Sequence, residues 1–374
     1  MKVLVTGGAG FIGSHTVDLL LEHGYDVRIV DALLPPVHRA ETIPSYVPRD
    51  AEFIHGNLLD RTLMERALQG VDYVFHLAAY QDYLTDFSTF FHTNSVGTAL
   101  LYELVFNKGF PVQKIVVASS QAVYGEGKYS CPVHGNQYPD ARPIEQLIAG
   151  DWNISCSECG SPLIHETTDE SAVRPHNSYA MSKYAQEMIS INLGRRYDIP
   201  TTALRYSITP GPRQSFQNAY SGILRIFTLN LMHNVQPLVY EDGNQLRDYV
   251  YVGDVAKANI LALEDKHTDF QVLNVGGPSG TTVIDYARTI ADCLNKKLEP
   301  QMSGEFRHGD TRHIVSDITR LRTFGWEPSR TPREIAESYI EWVQGQPGIA
   351  NYGENALNLM RSTRVVRRAV AATA

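Results

Sequence analysis

Tyr179 and Lys183 stand four residues apart in a stretch, 177–197, whose apolar spacing predicts a helix, so both side chains leave the same face. A phenol is a poor base near neutrality because its ordinary pKa is about 10. An ammonium beside it favours the phenolate, and a hydroxyl from another segment, Ser120, can bridge the phenol and a substrate hydroxyl. The three groups could therefore take the proton from an alcohol whose carbon gives up a hydride. A tyrosine and a lysine at this spacing are more often a surface pair. This pair gains weight because it follows a nucleotide-binding pattern and the strand end Ser119-Ser120.

That pattern is Thr6-Gly7-Gly8-Ala9-Gly10-Phe11-Ile12-Gly13, between the apolar run 3–5 and a helix-like run through Thr16, Leu19, Leu20 and His23. Gly8, Gly10 and Gly13 fit G-x-G-x-x-G, and Gly7, Gly10 and Gly13 fit an overlapping register. Either brings backbone amides and a helix N-terminus to a pyrophosphate, because a Cβ at the turn would hold the backbone away. A glycine triplet alone is only a tight turn. Here a second strand, 27–30, ends at Asp31, whose carboxylate can accept both ribose hydroxyls and repel a 2′-phosphate. The expected cofactor is NAD, with a nicotinamide ring to take the hydride; Arg39 is close enough in sequence to serve a phosphate and keeps NADP as the alternative.

Cys131-Pro132-Val133-His134 and Cys156-Ser157-Glu158-Cys159 supply a C-x-x-H and a C-x-x-C knuckle. Two such pairs suit a tetrahedral structural zinc, since thiolate and imidazole are its usual ligands. Reduced thiols in a polar loop are the plainer alternative, and His165 is a substitute for His134.

These groups need a scaffold, and strand and helix patterns alternate to provide one: strands at 51–55, 71–77, 114–118, 201–206 and 272–275, helices at 87–106, 177–197, 219–234, 253–264, 283–294 and 333–343. Alternation of this kind predicts an α/β fold, a Rossmann-type doubly wound parallel sheet with a smaller substrate-binding lobe. Residues 1–206 with 253–275 are assigned to the dinucleotide domain, interrupted by an insertion at 126–170. Residues 207–252 and 276–346 form the lobe, and 347–374 a peripheral tail, mobile or docked.

The chain of 374 residues carries 33 basic and 41 acidic groups, a net charge of −8, which argues against a nucleic-acid surface and favours small-molecule ligands. Met1 leads directly into the first strand, without a charged and then apolar leader, and no apolar run is long enough to cross a bilayer. A cytoplasmic protein with no membrane partner is expected, and four cysteines do not make a disulfide framework.

The chain resembles the extended short-chain dehydrogenase/reductase family, the NAD-dependent epimerases and dehydratases of nucleotide sugars. The matching pieces are the glycine turn, Asp31, His76-Leu77-Ala78-Ala79, Asn94 with Gly97-Thr98, Ser119-Ser120 with Val123-Tyr124-Gly125, Tyr179 with Lys183, Arg205, Gly211-Pro212-Arg213-Gln214, Arg247-Asp248-Tyr249-Val250, and Arg307 with Gly309-Asp310. The resemblance implies that Ser120, Tyr179 and Lys183 are catalytic. It implies cofactor contacts from Gly7, Gly10, Phe11, Ile12, Gly13, Asp31, Asn57, Leu58, Leu77, Ala78, Ala79 and Asn94, together with Tyr179 and Lys183. Arg247 and Arg307 would bind the substrate diphosphate, aided by Asn218. A guanidinium fork suits phosphate oxygens.

Departures narrow the reaction. Relatives that dehydrate sugars have an Asp-Glu pair where Gln121-Ala122 stands here, so a dehydratase is disfavoured. Ile208 replaces a customary asparagine and makes the sugar pocket more apolar, and Asn57 replaces an aspartate near the adenine. What remains fits a nucleotide-sugar 4-epimerase that oxidises C4 and returns the hydride to the other face. The segments 127–132, 156–163, 212–214 and 218–220 are most similar to dTDP-L-rhamnose 4-epimerase-like proteins. An NAD(P)-dependent reductase or another epimerase or decarboxylase of the family shares the same triad, and a silent NAD-binding regulator would require that triad broken. Family members often pair through two helices each, which implies a homodimer.

Overall fold

Leu4 turns one way from the first strand while Val3 and Val5 turn the other, and all three are fully buried, so the strand lies in a sheet covered on both faces. The computed structural model describes residues 1–35, 37–38, 42–82, 85–215, 222–346, 361–362 and 364–369. β1 (Lys2–Thr6) leads to α1 (Phe11–Glu22), β2 (Asp26–Asp31), β3 (Glu52–His55), α2 (Arg61–Ala67), β4 (Tyr73–His76), α3 (Phe87–Phe91), α4 (Gly97–Lys108) and β5 (Lys114–Ser120). The insertion then holds β6 (Tyr129–Cys131), β7 (Gly135–Gln137), α5 (Ile144–Ile148) and β8 (Ile164–His165), after which α6 (Ser178–Arg196) and β9 (Thr201–Tyr206) rejoin the sheet.

The chain leaves again through α7 (Gly222–Met232), β10 (Leu238–Val239) and β11 (Leu246–Asp248), and returns through α8 (Val252–Glu264) and β12 (Val272–Val275). β13 (Gly280–Thr282), α9 (Val283–Cys293), β14 (Gln301–Met302), β15 (Glu305–Arg307), α10 (Thr319–Arg322), α11 (Pro332–Gln344) and β16 (Val366–Arg368) complete it.

Seven parallel strands form the main sheet in the order β12-β9-β5-β4-β1-β2-β3. The chain builds outward in both directions from the β1/β4 boundary, which opens a crevice at the carboxyl ends of the strands. α1 and α8 cover one face with Val17, Leu20, Val255 and Ala258. α2 and α4 cover the other with Met64, Leu101 and Leu104. α7, α9 and α11 share a separate apolar cluster around Tyr286, Ile290 and Tyr339, which is the body of the lobe.

One segment differs from expectation, and another takes one of its two expected forms. The helix predicted over 87–106 is broken by one wide turn, His92–Val96, where the Asn94 carboxamide turns inward to bond Tyr80 and Ser182 instead of continuing an amphipathic face. The tail is docked where it is described: β16 pairs antiparallel with β15, and Val366 is buried there. Residues 219–221 of the helix predicted over 219–234 lie outside the described residues; α7 accounts for most of the rest. No helix among the described residues is long and apolar enough to cross a membrane.

Candidate active site

One continuous cavity of about 1490 Å³ runs from the glycine turn to the lobe. At its first end the turn resolves which glycine register faces the ligand space. Gly7, Gly10 and Gly13 line the cavity, whereas Gly8 faces the core, where a Cβ would meet the Ile29 side chain at 2.8 Å. Gly13 has no room at all, since its Cβ would stand 2.1 Å from the Gly7 carbonyl oxygen. Gly7 has φ +73°, and its Cβ would meet the Ala78 backbone at 2.8 Å, so the small residues after β4 and the first glycine are packed against each other.

Phe11 and Ile12 open α1 on the cavity wall, and Asn57, Leu58, Leu77, Ala78 and Ala79 line it from the ends of β3 and β4. Asp31 closes β2; its carboxylate accepts from the Ala9 amide at 3.0 Å and the Leu33 amide at 2.9 Å, which aims it into the cavity. Asn94 is fully buried behind this wall, holding the Tyr80 backbone; His92 and Thr93 are its lining neighbours.

The catalytic candidates meet mid-cavity. Asn177 caps α6 by accepting from the Ala180 amide at 2.8 Å, and Tyr179 follows in the first turn. Ser120, the last residue of β5, hydrogen-bonds the Tyr179 hydroxyl. Burial pushes the Tyr179 phenol up to about 12, against which the Ser120 bond works. Burial pushes Lys183 down to about 7, and its Nζ donates to the Ala118 carbonyl oxygen at 2.5 Å and to Gln186. The lysine is therefore a braced group on a buried polar chain. Gln186 continues to Thr98, Thr98 to His76, and His76 to Thr6. Burial thus works against the phenolate expected at this position, and the Ser120 hydroxyl works for it.

A second buried set fixes α6 against the sheet. Glu187 accepts from Arg205 at 2.6 and 2.9 Å and from Ser119 at 2.8 Å, and Arg205 also donates to Tyr124. Removing one partner of such a pair costs about 3–5 kcal/mol, because the other charge stays buried.

At the far end Arg247 and Arg307 both line the cavity. Arg247 donates to the carbonyl oxygens of Leu246, Thr311 and Arg312, a cage that fixes its direction. Arg307 lies over the Tyr240 ring, 5.6 Å from its centre, and Asp310 stands 3.7 Å from both guanidinium groups. Ile208 and Gln121-Ala122 also line the cavity, and the Gln121 Oε1 is buried with no hydrogen-bond partner among the described residues.

Asn218 and Arg39 lie outside the described residues. Arg361, which no sequence pattern singles out, reaches the cavity because β16 docks beside β15; it makes a two-pronged bond to Glu305 at 2.9 and 2.8 Å.

The insertion brings its four candidates together away from the cavity. Cys131 Sγ is 3.6 Å from His134 Nδ1 and 3.7 Å from Cys159 Sγ, and Cys156 Sγ is 3.4 Å from His134 Nδ1. All four ligand atoms lie within 4.8 Å of one another, and the cysteines are free thiols. His165 is not among them: its ring packs against Tyr129 and His313.

Sheet order, glycine turn and cavity define a Rossmann-type protein of the short-chain dehydrogenase/reductase class. The chain belongs to the NAD dependent epimerase/dehydratase family, whose model matches residues 3–147 and 153–276. It is 33% identical over 334 residues to dTDP-L-rhamnose 4-epimerase of Burkholderia thailandensis, covering 87% of this chain and 90% of the relative. The crystal structure of UDP-glucose 4-epimerase from Thermotoga maritima with UDP-glucose superposes with a TM-score of 0.76 at 31% identity, covering 92% of this chain and 99% of that one. That of Thermus thermophilus UDP-glucose 4-epimerase with NAD gives 0.72 at 30% identity, with the same coverage.

Proposed function

We propose that this protein is an NAD-dependent nucleotide-sugar 4-epimerase. The observation that carries the proposal is the hydrogen-bonded Ser120–Tyr179 pair, set midway in one cavity between a glycine turn and two arginines. The relatives named as 4-epimerases support the reaction, and the neighbour with NAD supports the cofactor.

The residues present fit the dinucleotide. Gly7, Gly10 and Gly13 leave the backbone open to a pyrophosphate, Asp31 presents its carboxylate to a ribose, and the wall residues from Phe11 to Ala79 complete the slot. NAD held there would supply the acceptor and then the donor of the sugar-carbon hydride. Ser120 bridges and Tyr179, as its phenolate, takes the proton of the sugar O4 as the ketone forms, and Tyr179 gives it back when the ketone has turned over. Lys183, bonded to Ala118 and Gln186, fixes the helix turn that carries the phenol. Arg247 and Arg307 hold the diphosphate, so the sugar pivots about a fixed anchor. Gln121 in place of an acid leaves no group there to expel water, which keeps the reaction at epimerisation.

Residues 1–206 with 253–275 serve the dinucleotide, and 207–252 with 276–346 serve the nucleotide sugar. Phe87, Phe91 and Val96, together with Met181 and Met188 on the adjoining α6, stay exposed. That apolar face supports a homodimer, which sedimentation velocity tests. Zinc is a second ligand, structural in role, on Cys131, His134, Cys156 and Cys159. Reduced thiols suit a cytoplasmic protein.

Purified protein given UDP- or dTDP-hexoses without added reductant is expected to produce the C4 epimer by NMR. A requirement for stoichiometric NAD(P)H would make it a reductase instead.

A further inference from the structure

We infer that the insertion is a zinc-closed brace whose metal governs substrate binding at a distance, by fixing the carbonyl cage around Arg247 and the strand that carries Arg307. As to the ligand those arginines hold, this rests on the epimerase assignment.

Three of the six edges between ligand atoms are spaced as a zinc tetrahedron requires, and all lie within 4.8 Å. With zinc–sulfur bonds of about 2.3 Å and zinc–nitrogen bonds of about 2.0–2.1 Å, the sulfur–sulfur edges are about 3.8 Å and the sulfur–nitrogen edges about 3.5–3.6 Å. The Cys131–Cys159 edge is 3.7 Å, and the edges from His134 to Cys131 and Cys156 are 3.6 and 3.4 Å. Four protein ligands leave no open position, and none of them lines the cavity, which makes the metal structural. The backbone prepares both knuckles. Cys131 and His134 flank the β6–β7 turn, and Cys156 and Cys159 sit on a tight turn closed by bonds from the Gly160 amide to Cys156 and from the Cys156 amide to Ser161.

Closing this cluster joins the two halves of the insertion, and each half bears on the substrate end. In the first half, Tyr129 lies two residues before Cys131, buried against the rings of His165 and His313. His313 accepts from the Leu246 amide at 3.1 Å, next to Arg247. Between the knuckles, buried Arg142 grips Glu241 at 2.9 and 2.9 Å and donates to the carbonyl oxygens of Trp152 and Asp310, with its Nε 3.4 Å from Glu126. Glu241 also receives Arg312, whose carbonyl helps to cage Arg247, and the Trp152 ring lies 5.9 Å from Phe306, the neighbour of Arg307. Apart from the metal, the 154–163 hairpin is held by its own backbone bonds, among them the Leu163 amide to the Ile154 carbonyl at 2.9 Å, and by the pairing of β8 with β6. It keeps a bridge between Ser155 and Pro162, and Cys159 is exposed.

The test measures metal and ligand separately. Elemental analysis of the purified full chain is expected to give one zinc per chain, and cobalt exchanged into the site should show the visible absorption of a tetrahedral thiolate complex. Calorimetry with UDP and with dTDP is expected to show binding weakened about ten-fold or more in Cys156→Ser/Cys159→Ser protein, with bound NAD retained. Arg142→Lys keeps all four ligands and loses the fork. It should retain zinc, raise KM about ten-fold and leave kcat within about two-fold. A chain purified without metal that takes up no cobalt overturns the site. Full zinc with unchanged UDP and dTDP affinity in Arg142→Lys overturns the brace. Both readouts stand apart from the epimerase assignment, which fails only if no sugar is epimerised.

Discussion

The Lys183 ammonium donates to the carbonyl oxygen of Ala118 at 2.5 Å, so the fourth residue after Tyr179 is bonded to the strand that carries Ser120. The bond sets the distance between helix and strand, and therefore between Tyr179 and Ser120. It also places a titratable amine where burial opposes its charge.

Replacing Tyr179 with Phe removes the group proposed to exchange the proton with O4. A loss in kcat of about 10²–10⁴ is expected, the usual worth of a positioned acid–base group, with UDP affinity within a few-fold of the parent. Ser120→Ala should lose less, since a water can take its place. Rate measurements beside calorimetry separate the two effects. A Tyr179→Phe enzyme with near-normal turnover would remove the phenol from the reaction.

The pH dependence of stability follows from Lys183. Its pKa in the fold is about 7 against 10.5 for a free side chain, so between those values the unfolded chain binds a proton that the folded chain does not. Stability from this group therefore rises with pH across that window and is flat below it. Relative to Lys183→Met, the parent should gain about 1 kcal/mol or more per pH unit over part of the window, and at most a few in all. Urea melts of both proteins at pH 7 and pH 9.5 check this. Parallel curves at both pH values would mean that the amine is not desolvated.

Two glycines give opposite outcomes. Gly13→Ala would force a Cβ to 2.1 Å from the Gly7 carbonyl oxygen, backbone against backbone, so loss of bound NAD and of soluble protein is expected. Gly24 has φ +79° and nothing within 4 Å of an added Cβ, so Gly24→Ala should cost about 1 kcal/mol in backbone strain and leave NAD content unchanged. Thermal melts and the absorbance of released cofactor read both.

Arg361 arrives at the cavity with the docked tail, already paired with Glu305. Arg361→Ala should raise KM for the nucleotide sugar about three- to ten-fold, less than a buried charge-assisted bond because the side chain is 44% exposed, and leave kcat unchanged. Steady-state kinetics decide it. An equal fall in kcat and kcat/KM would place this residue nearer the reacting carbon.

Much of this protein was legible in the chain because local pattern determines it. Strand, glycine turn, helix and Asp31 occur in an order that only a parallel nucleotide-binding sheet satisfies, and Tyr179 with Lys183 must share a face once 177–197 is helical. The wide turn at Asn94 was not legible, because it depends on a carboxamide reaching Tyr80 and Ser182, the latter 88 residues away.

Sequence alone thus determined the fold class and the family and named the candidate site residues, since these are written in spacings of three to twenty residues. Tertiary structure decided which glycine register faces the cavity, that burial works against the Tyr179 phenolate, that Arg361 joins Arg247 and Arg307, and that two knuckles 25 residues apart close on one point. The reason is physical: desolvation and long-range pairing depend on what packs around a side chain, and that is known only when distant segments have come together.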